Sequence, residues 1–551
     1  MAAYNDQMST SNPGDRLDSW KAIARHINRS ERTARRWEAD EGMPVHRHRH
    51  QSQATVYAYT RELDAWLTAW ESGGSAEASA PQFDKDDEQC SIAVLPFEFV
   101  GANVEQAYIA DGFTDEVIAD LAKIASLRVI SRTSTMQLKG SSLTIGKIAS
   151  RLDVEFLLEG SVRCHADAIR ASVRLIEPDR ERHIWSEKYA GHVHDVFEIQ
   201  ERIARDTAAA MRLRLTTEDD SRLARRSVTN WSAWLAAVQA RSDSWRWTRE
   251  GIDHAQSVIE QELATTGDDA YLLVTLGKNY LHRREAGLDA NGRALEQAQA
   301  CVDRAVAADP DGAAVFELRG WLHYSSGEIQ LAVDNLKAAL ARQGANPDTL
   351  GLLCNCYLIS GQLPVARSLI PQVLAIDPLS PIFQILPSWA DVLEGRHRDA
   401  VEPYRKLLAQ EPQSPIARMF LVWILAINDQ RDEIQTVVQG FGDRDSGSIA
   451  AQVARCFAAA VSGTRPQVEF TAESQALARS NDMYPRMFAQ AFALADEPEA
   501  AMEWLSLAVA RGFINYPYLH QHDPLLTRLN KYPSYRNLLK EVKREWSGFR
   551  V

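Results

Sequence analysis

The chain lacks most features that would point to catalysis, disulfide bonding or a membrane. Its 551 residues include six cysteines with no CxxC pair, so neither a disulfide framework nor a zinc site is indicated. The longest apolar run, 419–427, is far shorter than the roughly 20 residues that span a bilayer. No P-loop is present, and no GxGxxG motif follows a predicted strand. We therefore expect a cytoplasmic protein that is not an enzyme and uses no cofactor, metal or membrane contact.

Positive charge is also scarce. The net charge of −13 argues against a chain that coats nucleic acid or anionic lipid over its whole surface. Segment 17–70 differs, because it holds nine Lys and Arg against seven Asp and Glu. A small basic module can therefore be embedded in an acidic protein.

Residues 16–70 show two short helical patterns and then a hairpin pattern. Apolar residues at helical spacing run from 17 to 27, and Ser30 can cap a second helix that ends near residue 38. Arg32, Arg35 and Arg36 share the outward face of that second helix. The sequences VHRHRH (45–50) and TVYAY (55–59) alternate as strands of a β-hairpin. Two helices joined by a tight turn are typical of a helix-turn-helix.

The motifs SWKAIARHI, SERTARRWE, MPVHRH and YTRELDAWL in this segment resemble the winged helix-turn-helix of the MerR and excisionase type. The resemblance implies double-stranded DNA as a partner. It also implies a recognition helix and a wing that contact DNA through Arg32, Thr33, Arg35, Arg36, His46, Arg47, His48, Arg49 and His50. Two other interpretations are a solvated helical bundle and a metal site on the three histidines. Strand neighbours two apart lie about 7 Å from each other, which disfavours a shared small ion.

Polar segments flank this module. Residues 1–15 are expected to be a disordered lead-in, and 71–89, rich in Gly, Ser, Ala and acidic residues, a flexible linker.

Residues 90–215 alternate strand and helix patterns and then form a hairpin, which predicts an α/β domain with a mixed sheet. The motifs IAVLPF, YIADGFTDEVIADL, LRVISRTS and EFLLEGSVR resemble the TolB N-terminal-like domain, which also occurs in adenylate-cyclase-like proteins. No cyclase domain is visible in the chain. Asp111, Asp115, Glu116 and Asp120 could suggest a metal site, but Asp and Thr at a helix start more often cap the helix.

Residues 229–551 carry a 34-residue period. Gly327, Gly361 and Gly395 keep this interval, as do Ala332, Ala366 and Ala400, and Pro310, Pro378 and Pro412 fall at repeat ends. This pattern resembles the tetratricopeptide repeat and implies about eight repeats in an all-α solenoid closed by a C-terminal capping helix. Such a solenoid would bind a protein or peptide in its concave groove. Trp231, Trp234, Trp245 and Trp247 are expected to pack rather than to bind a ligand.

Together these patterns predict a cytosolic DNA-binding transcriptional regulator whose repeats bind protein partners. One small module makes few base contacts, so a homodimer or a partner is expected. The alternative is a tetratricopeptide scaffold in signalling that does not bind DNA. An enzyme is disfavoured because no nucleophile, base or metal set accompanies a phosphate-binding loop.

Overall fold

The structure is a computed structural model that describes residues 16–17, 19–27, 34, 38, 43–49, 54–60, 63, 90–101, 107–165, 167–178, 182–224, 230–289, 291–442 and 447–551. The chain divides into two compact units, Met1–Gln89 and Cys90–Val551. Among the helices in those ranges, none has the length and apolar character required to cross a membrane.

The first unit contains a small sheet and a helix. Its elements are β1 (Arg16–Leu17), α1 (Trp20–His26), β2 (His46–Arg49) and β3 (Ala54–Tyr59). Ser19 caps α1, since its hydroxyl accepts a hydrogen bond from the Ala22 amide at 3.1 Å. The strands pair antiparallel in the order β1-β3-β2. Ile23, Ala34 and Leu63 are fully buried in its apolar core.

The predicted hairpin is therefore present as β2 and β3, and β1 is a third strand that the sequence did not predict. Most of the second helix, including Trp37, lies outside the described residues, as do 1–15 and 71–89. The winged helix-turn-helix as a whole stays a prediction.

The second unit begins with an α/β domain. Its elements are β4 (Cys90–Val94), β5 (Glu98–Phe99), α2 (Tyr108–Ala122), β6 (Leu127–Val129), α3 (Arg132–Met136), α4 (Ile145–Leu152), β7 (Phe156–His165), β8 (Ala168–Glu177), β9 (Arg182–His192) and α5 (Val196–Ala210). The main sheet has the order β6-β4-β7-β8-β9, with β5 beside β7. Strand β4 is parallel to β6 and β7, and β5 is parallel to β7, whereas β8 is antiparallel to both β7 and β9. The predicted mixed sheet is confirmed.

Alternation along β4 distributes its side chains between two cores. Ile92 and Val94 pack in the larger core together with Phe113 of α2 and Ile203 of α5. Ala93 faces the opposite way, into a smaller core with Ile148 of α4 and Leu379 from the repeat region. The sheet is thus covered on both faces, and residues of the repeat region contribute to both cores.

The repeat region is all-helical, as predicted. Its helices are α6 (Thr217–Ala224), α7 (Trp231–Ser244), α8 (Arg249–Thr266), α9 (Ala270–Glu285), α10 (Ala294–Ala308), α11 (Ala313–Ser326), α12 (Ile329–Gln343), α13 (Pro347–Ile359), α14 (Leu363–Ile376), α15 (Pro381–Gln384), α16 (Leu386–Leu393), α17 (Val401–Gln410), α18 (Pro415–Ile427), α19 (Arg431–Gln439), α20 (Ile449–Val461), α21 (Ala472–Ala478), α22 (Met483–Leu494), α23 (Pro498–Ala510) and α24 (Pro533–Gly548). Antiparallel pairs follow one another from α7 to α23, with α15 and α16 together forming one broken first helix.

A left-handed residue stands in the turn inside successive pairs. The 34-residue interval extends beyond Gly327, Gly361 and Gly395, because Asp429 and Gly463 also take positive φ, and Asp496 follows one residue early. The φ angles are 85° at Gly327, 76° at Gly361, 85° at Gly395, 57° at Asp429, 72° at Gly463 and 57° at Asp496. Asp can adopt this conformation at a modest cost, so the structural period continues where the glycine pattern stops.

A C-terminal strap, residues 510–522, crosses three of these turns. The Ile514 amide donates to the Ile359 carbonyl at 3.1 Å. Cβ atoms added at Gly327, Gly361 and Gly395 would lie 2.6, 2.9 and 2.9 Å from atoms of the strap. All three turns favour glycine for its conformation, and at Gly327, where the near atoms belong to the main chain, close approach also excludes a Cβ.

Candidate functional site

The predicted DNA-contact residues are only partly within the described ranges. His46, Arg47, His48 and Arg49 form β2, which pairs with β3 from His46↔Tyr57 to Arg49↔Ala54. The His46 ring is half-buried and stacks on Tyr57 at a centroid distance of 5.2 Å. The side chains of Arg47, His48 and Arg49, and the whole of Arg32, Thr33, Arg35, Arg36 and His50, lie outside what the structure describes. Their contacts with DNA stay a prediction.

A large cavity lies in the second unit between the α/β domain and the repeats. It has a volume of about 1520 Å³ and is called here the central cavity. One wall is α2 with Ser131 and Arg132, and the other walls are α7 and the first helices of later repeats, α9, α11 and α13. The sequence analysis did not predict this cavity.

Charged pairs join the two walls at one end. Glu116 of α2 accepts hydrogen bonds from Trp234 Nε1 at 3.2 Å and from the Tyr271 hydroxyl at 3.1 Å. Arg241 Nη2 lies 3.8 Å from the same carboxylate. Asp115, which precedes Glu116 in α2, forms an ion pair with Arg132. Burial raises the pKa of Asp115 to about 6, although Arg132 and Arg241 both oppose this effect.

At the other end, the α/β domain is held by the last turn of α14 and the residues that follow it. Arg128 Nη1 donates to the Ala375 carbonyl at 2.9 Å. The Ser134 hydroxyl donates to Asp377 and accepts from the Leu379 amide at 2.9 Å. The contacts of Arg128 and Ser134 with residues 375–379 are called the 375–379 junction. Because both ends are tied, the α/β domain bridges the first helices of the early repeats.

The repeat wall of the cavity presents further ionisable groups. Lys278 and Glu317 form an ion pair at 2.9 Å, and Trp321 Nε1 donates to Glu285 at 2.8 Å. Burial raises the pKa of Glu285 to about 7 and that of Asp348 to about 6. Burial also lowers the pKa of His282 to about 4, so this imidazole is neutral near pH 7.

The structure corrects the prediction that the acidic residues of α2 cap the start of the helix. The helix begins at Tyr108, so Asp115 and Glu116 lie well inside it and do not cap its start. Thr114 is buried, where its hydroxyl donates to the Ala110 carbonyl at 2.8 Å and accepts from the Phe97 amide at 3.0 Å. Asp115 instead pairs with Arg132 inside the α/β domain, whereas Glu116 pairs with Trp234, Tyr271 and Arg241 of the repeats. Only their position beside the buried face of an amphipathic helix could have suggested this.

The four tryptophans that were expected to pack fall into a buried pair and an exposed pair. Trp234 is fully buried and Trp231 stacks on it at 5.1 Å, which confirms packing for this pair. Trp245 and Trp247 are 49% and 46% exposed, and Trp245 lines the central cavity. The expectation of packing was therefore wrong for Trp245, whose ring borders open space next to charged groups.

Two stretches match known domain families. Residues 88–206 match the HilA/YgeH-like transcriptional regulator, second domain, and residues 288–381 match the tetratricopeptide repeat. The chain carries a regulator-type domain followed by tetratricopeptide repeats. The first match covers the α/β domain, for which the sequence had suggested a TolB-like resemblance, and the repeats agree with the predicted 34-residue period.

Similar proteins cover parts of the chain. A protein named "Putative adenylate cyclase 3" from Rhizobium meliloti (strain 1021) is 37% identical over 151 residues, which are 27% of this chain and 26% of that protein. The chain thus spans about a quarter of this curated relative. The two matched families are of the regulator and repeat types and are not catalytic.

Solved helical-repeat structures are also similar. A tetratricopeptide repeat protein from Parabacteroides merdae ATCC 43184 shares 13% identity at a TM-score of 0.32, over 50% of this chain and 99% of that one. Yeast Tom70 shares 11% identity at a TM-score of 0.32, over 80% of this chain and 85% of that one.

Proposed function

We propose that this protein is a cytoplasmic transcriptional regulator that binds duplex DNA through residues 16–70 and protein partners through its repeats. The observation that carries the proposal is the match of residues 88–206 to a domain of HilA/YgeH-like transcriptional regulators. The hairpin β2–β3 packed beside α1 supports it, because a winged module needs these elements.

In this proposal the outward arginines of the second helix, Arg32, Arg35 and Arg36, read base edges or hold phosphates in the major groove. Thr33 and the wing residues 46–50 add phosphate contacts, which position the module without reading sequence. Residues 71–89 tether the module to an α/β domain (90–215) of TolB-like type and a repeat solenoid (229–551). A homodimer would present two modules to a two-fold DNA site.

The bridge formed by the α/β domain limits where a protein partner can bind. Helices α9, α11 and α13 face the central cavity, and α2 stands opposite them. A partner protein would therefore use repeat surfaces outside the cavity, or displace the α/β domain from the concave face. The alternative, a signalling scaffold that does not bind DNA, uses the same surfaces and differs only in the first unit.

DNA binding can be tested on the full chain. Sequences selected from a random duplex pool would be labelled and titrated by fluorescence anisotropy at several salt concentrations. Each good bidentate contact contributes about 1–3 kcal/mol, so the double variant Arg35→Ala and Arg36→Ala should weaken binding by about tenfold or more. It should also reduce the salt slope by about two.

The matched control removes the same charge elsewhere. Lys147 and Arg151 are exposed on α4, and replacing both by Ala should leave affinity unchanged. A chain that selects no duplex at low salt, or a double arginine variant that binds as well as the control, would favour the scaffold.

A further inference from the structure

The charges that line the central cavity are balanced. Within the described part of the chain, each of the six Lys and Arg side chains that line it has a carboxylate within ion-pairing distance. The carboxylates need no further cation, because Glu116 and Glu285 already accept hydrogen bonds from tryptophan or tyrosine side chains and Asp348 is exposed. An uncharged ligand therefore suits this cavity better than an anion or a cation.

Several N–H groups of lining side chains have no hydrogen-bond acceptor. Gln200 of α5 is 2% exposed, and its Nε2 is buried without a partner. The same holds for Nε and Nη2 of Arg241 and for Nε2 of Gln343. The Glu116 carboxylate balances the charge of Arg241 from 3.8 Å, which is too far for a hydrogen bond. A buried donor without an acceptor costs about 1–3 kcal/mol, so these groups favour a ligand with acceptor oxygens.

Apolar side chains are exposed in the same cavity. Trp245, at the end of α7, and Ile382, in α15, line it and are 49% and 71% exposed. The Arg132 guanidinium lies 5.7 Å from the centre of the Trp245 ring, so the α/β domain reaches this ring but leaves about half of the side chain uncovered. The face of an indole ring carries partial negative charge and attracts the polarised C–H groups of a ligand.

A ligand rich in hydroxyl groups satisfies both the polar and the apolar side chains. A hydroxyl group accepts hydrogen bonds from N–H donors and donates its own hydrogen to a carboxylate. Gln200 and Arg241 supply the donors, and the exposed Asp348 carboxylate supplies an acceptor on the repeat wall. A pyranose ring combines such hydroxyls with a face of C–H groups that can stack on Trp245. An aliphatic or purely aromatic ligand would leave the donors without acceptors.

The size of the cavity favours a chain of several sugar units. Its volume of about 1520 Å³ exceeds the roughly 300–1,000 Å³ of a pocket that holds a drug-sized molecule. Its lining extends from α2 and α5 of the α/β domain to α15 of the repeats. An extended ligand can therefore contact both parts of the second unit at once.

We propose that the central cavity binds a neutral oligosaccharide, with Trp245 stacked on one sugar ring and the N–H groups of Gln200 and Arg241 donating to its oxygens. These side chains come from α5 of the α/β domain and from α7 of the repeats. A ligand held by all three contacts both parts of the second unit, so its binding strengthens the bridge between them. The proposal does not depend on DNA binding by residues 16–70.

Isothermal titration calorimetry on the full chain tests the class of ligand. The probes are maltohexaose, cellohexaose and chitohexaose acetylated on every nitrogen, all of which are neutral, and a galacturonic acid hexamer, which has the same length but carries a carboxylate on each unit. At least one neutral hexamer should bind, and the acidic hexamer and glucose should bind at least about tenfold more weakly. No binding of any neutral hexamer at millimolar concentration, or equal binding of the acidic hexamer or of glucose, would overturn the proposal.

Two variants locate the site with the neutral hexamer that binds most tightly. Trp245→Ala removes the stacking surface, and Gln200→Leu removes the amide at similar volume. Each should weaken binding by about tenfold or more, which equals about 1.4 kcal/mol. Trp247→Ala is the matched control, because Trp247 is 46% exposed in the same turn and does not line the cavity. Affinity that is unchanged in both site variants, or reduced equally in the control, would place the sugar elsewhere.

Hydrogen exchange of the parent chain locates the ligand without any substitution, which matters if Gln200→Leu fails to fold. Saturation with the hexamer should slow exchange in α5 and in the last turn of α7. Exchange in α23 should not change, because no residue of that helix lines the cavity. Unchanged exchange in α5 and α7 under saturating hexamer would contradict the proposed site.

Discussion

Substitution of Gly327 by Ala tests the contact between the C-terminal strap and the repeat turns. Gly327 has a φ of 85°, and an added Cβ would lie 2.6 Å from the Ala510 carbonyl oxygen and 3.1 Å from backbone atoms of Arg511. Because these are main-chain atoms, no side-chain rotation can relieve the clash. The strap would have to move as a segment.

Two contributions add to the loss of stability expected for Gly327→Ala. A left-handed conformation costs a residue with a Cβ about 1–2 kcal/mol. Insertion of a methyl group into a packed contact costs about 1–3 kcal/mol more. Gly327→Ala should therefore lower the free energy of unfolding of the second unit by about 3 kcal/mol.

Gly463 provides the matched control. Its φ is 72°, yet an added Cβ would meet no atom within 4 Å. Gly463→Ala should therefore show only the conformational cost, about 1–2 kcal/mol. Urea unfolding followed by tryptophan fluorescence measures both variants, and hydrogen exchange should increase at 510–522 in Gly327→Ala alone. Equal losses of stability, with the strap equally protected in both, would refute the close approach.

Two further predictions concern buried carboxylates. Asp377→Ala leaves the buried Ser134 hydroxyl without its acceptor and should lower the free energy of unfolding by about 1–3 kcal/mol. Hydrogen exchange should become faster at 128–137 and stay unchanged in α23. An equal increase in both segments would contradict the role of the 375–379 junction. Burial raises the pKa of Asp482 to about 6, above the ordinary Asp value, so its protonated form is favoured in the folded state. The corresponding stability is present below about pH 4 and is lost as pH rises to about 6. Asp482→Asn should therefore gain up to about 3 kcal/mol in the free energy of unfolding, relative to the parent chain, as pH rises from 4 to 6.5. Parallel pH profiles of the two chains in urea unfolding would refute this.

Much of the architecture follows from local patterns. The short apolar run 91–97 predicted a strand, and β4 spans Cys90–Val94. The interval between Gly327, Gly361 and Gly395 predicted helix pairs, and each glycine lies in the turn between two helices. These signals lie within one element or repeat, where 2-residue and 3.6-residue periods report burial directly.

The candidate cavity could not be predicted in this way. Asp115 and Glu116 looked like helix-start residues because their partners, Arg132 and Arg241, belong to other elements. Trp245 resembled its buried neighbours in composition, and only its place beside the cavity separates it from Trp234. No period in a sequence encodes which side chains meet across a domain junction.

The sequence by itself determined the mixed sheet, the 34-residue period and the positions where a turn needs a left-handed residue, because backbone conformation and amphipathic spacing are local properties. The tertiary structure alone decided that the α/β domain bridges the first helices of the early repeats and that the strap covers three turns. Those outcomes rest on pairs distant in the chain, such as Ser134 with Asp377 and Ile514 with Ile359. Such pairs form only when packed elements bring complementary groups together, and this depends on the whole fold rather than on any segment.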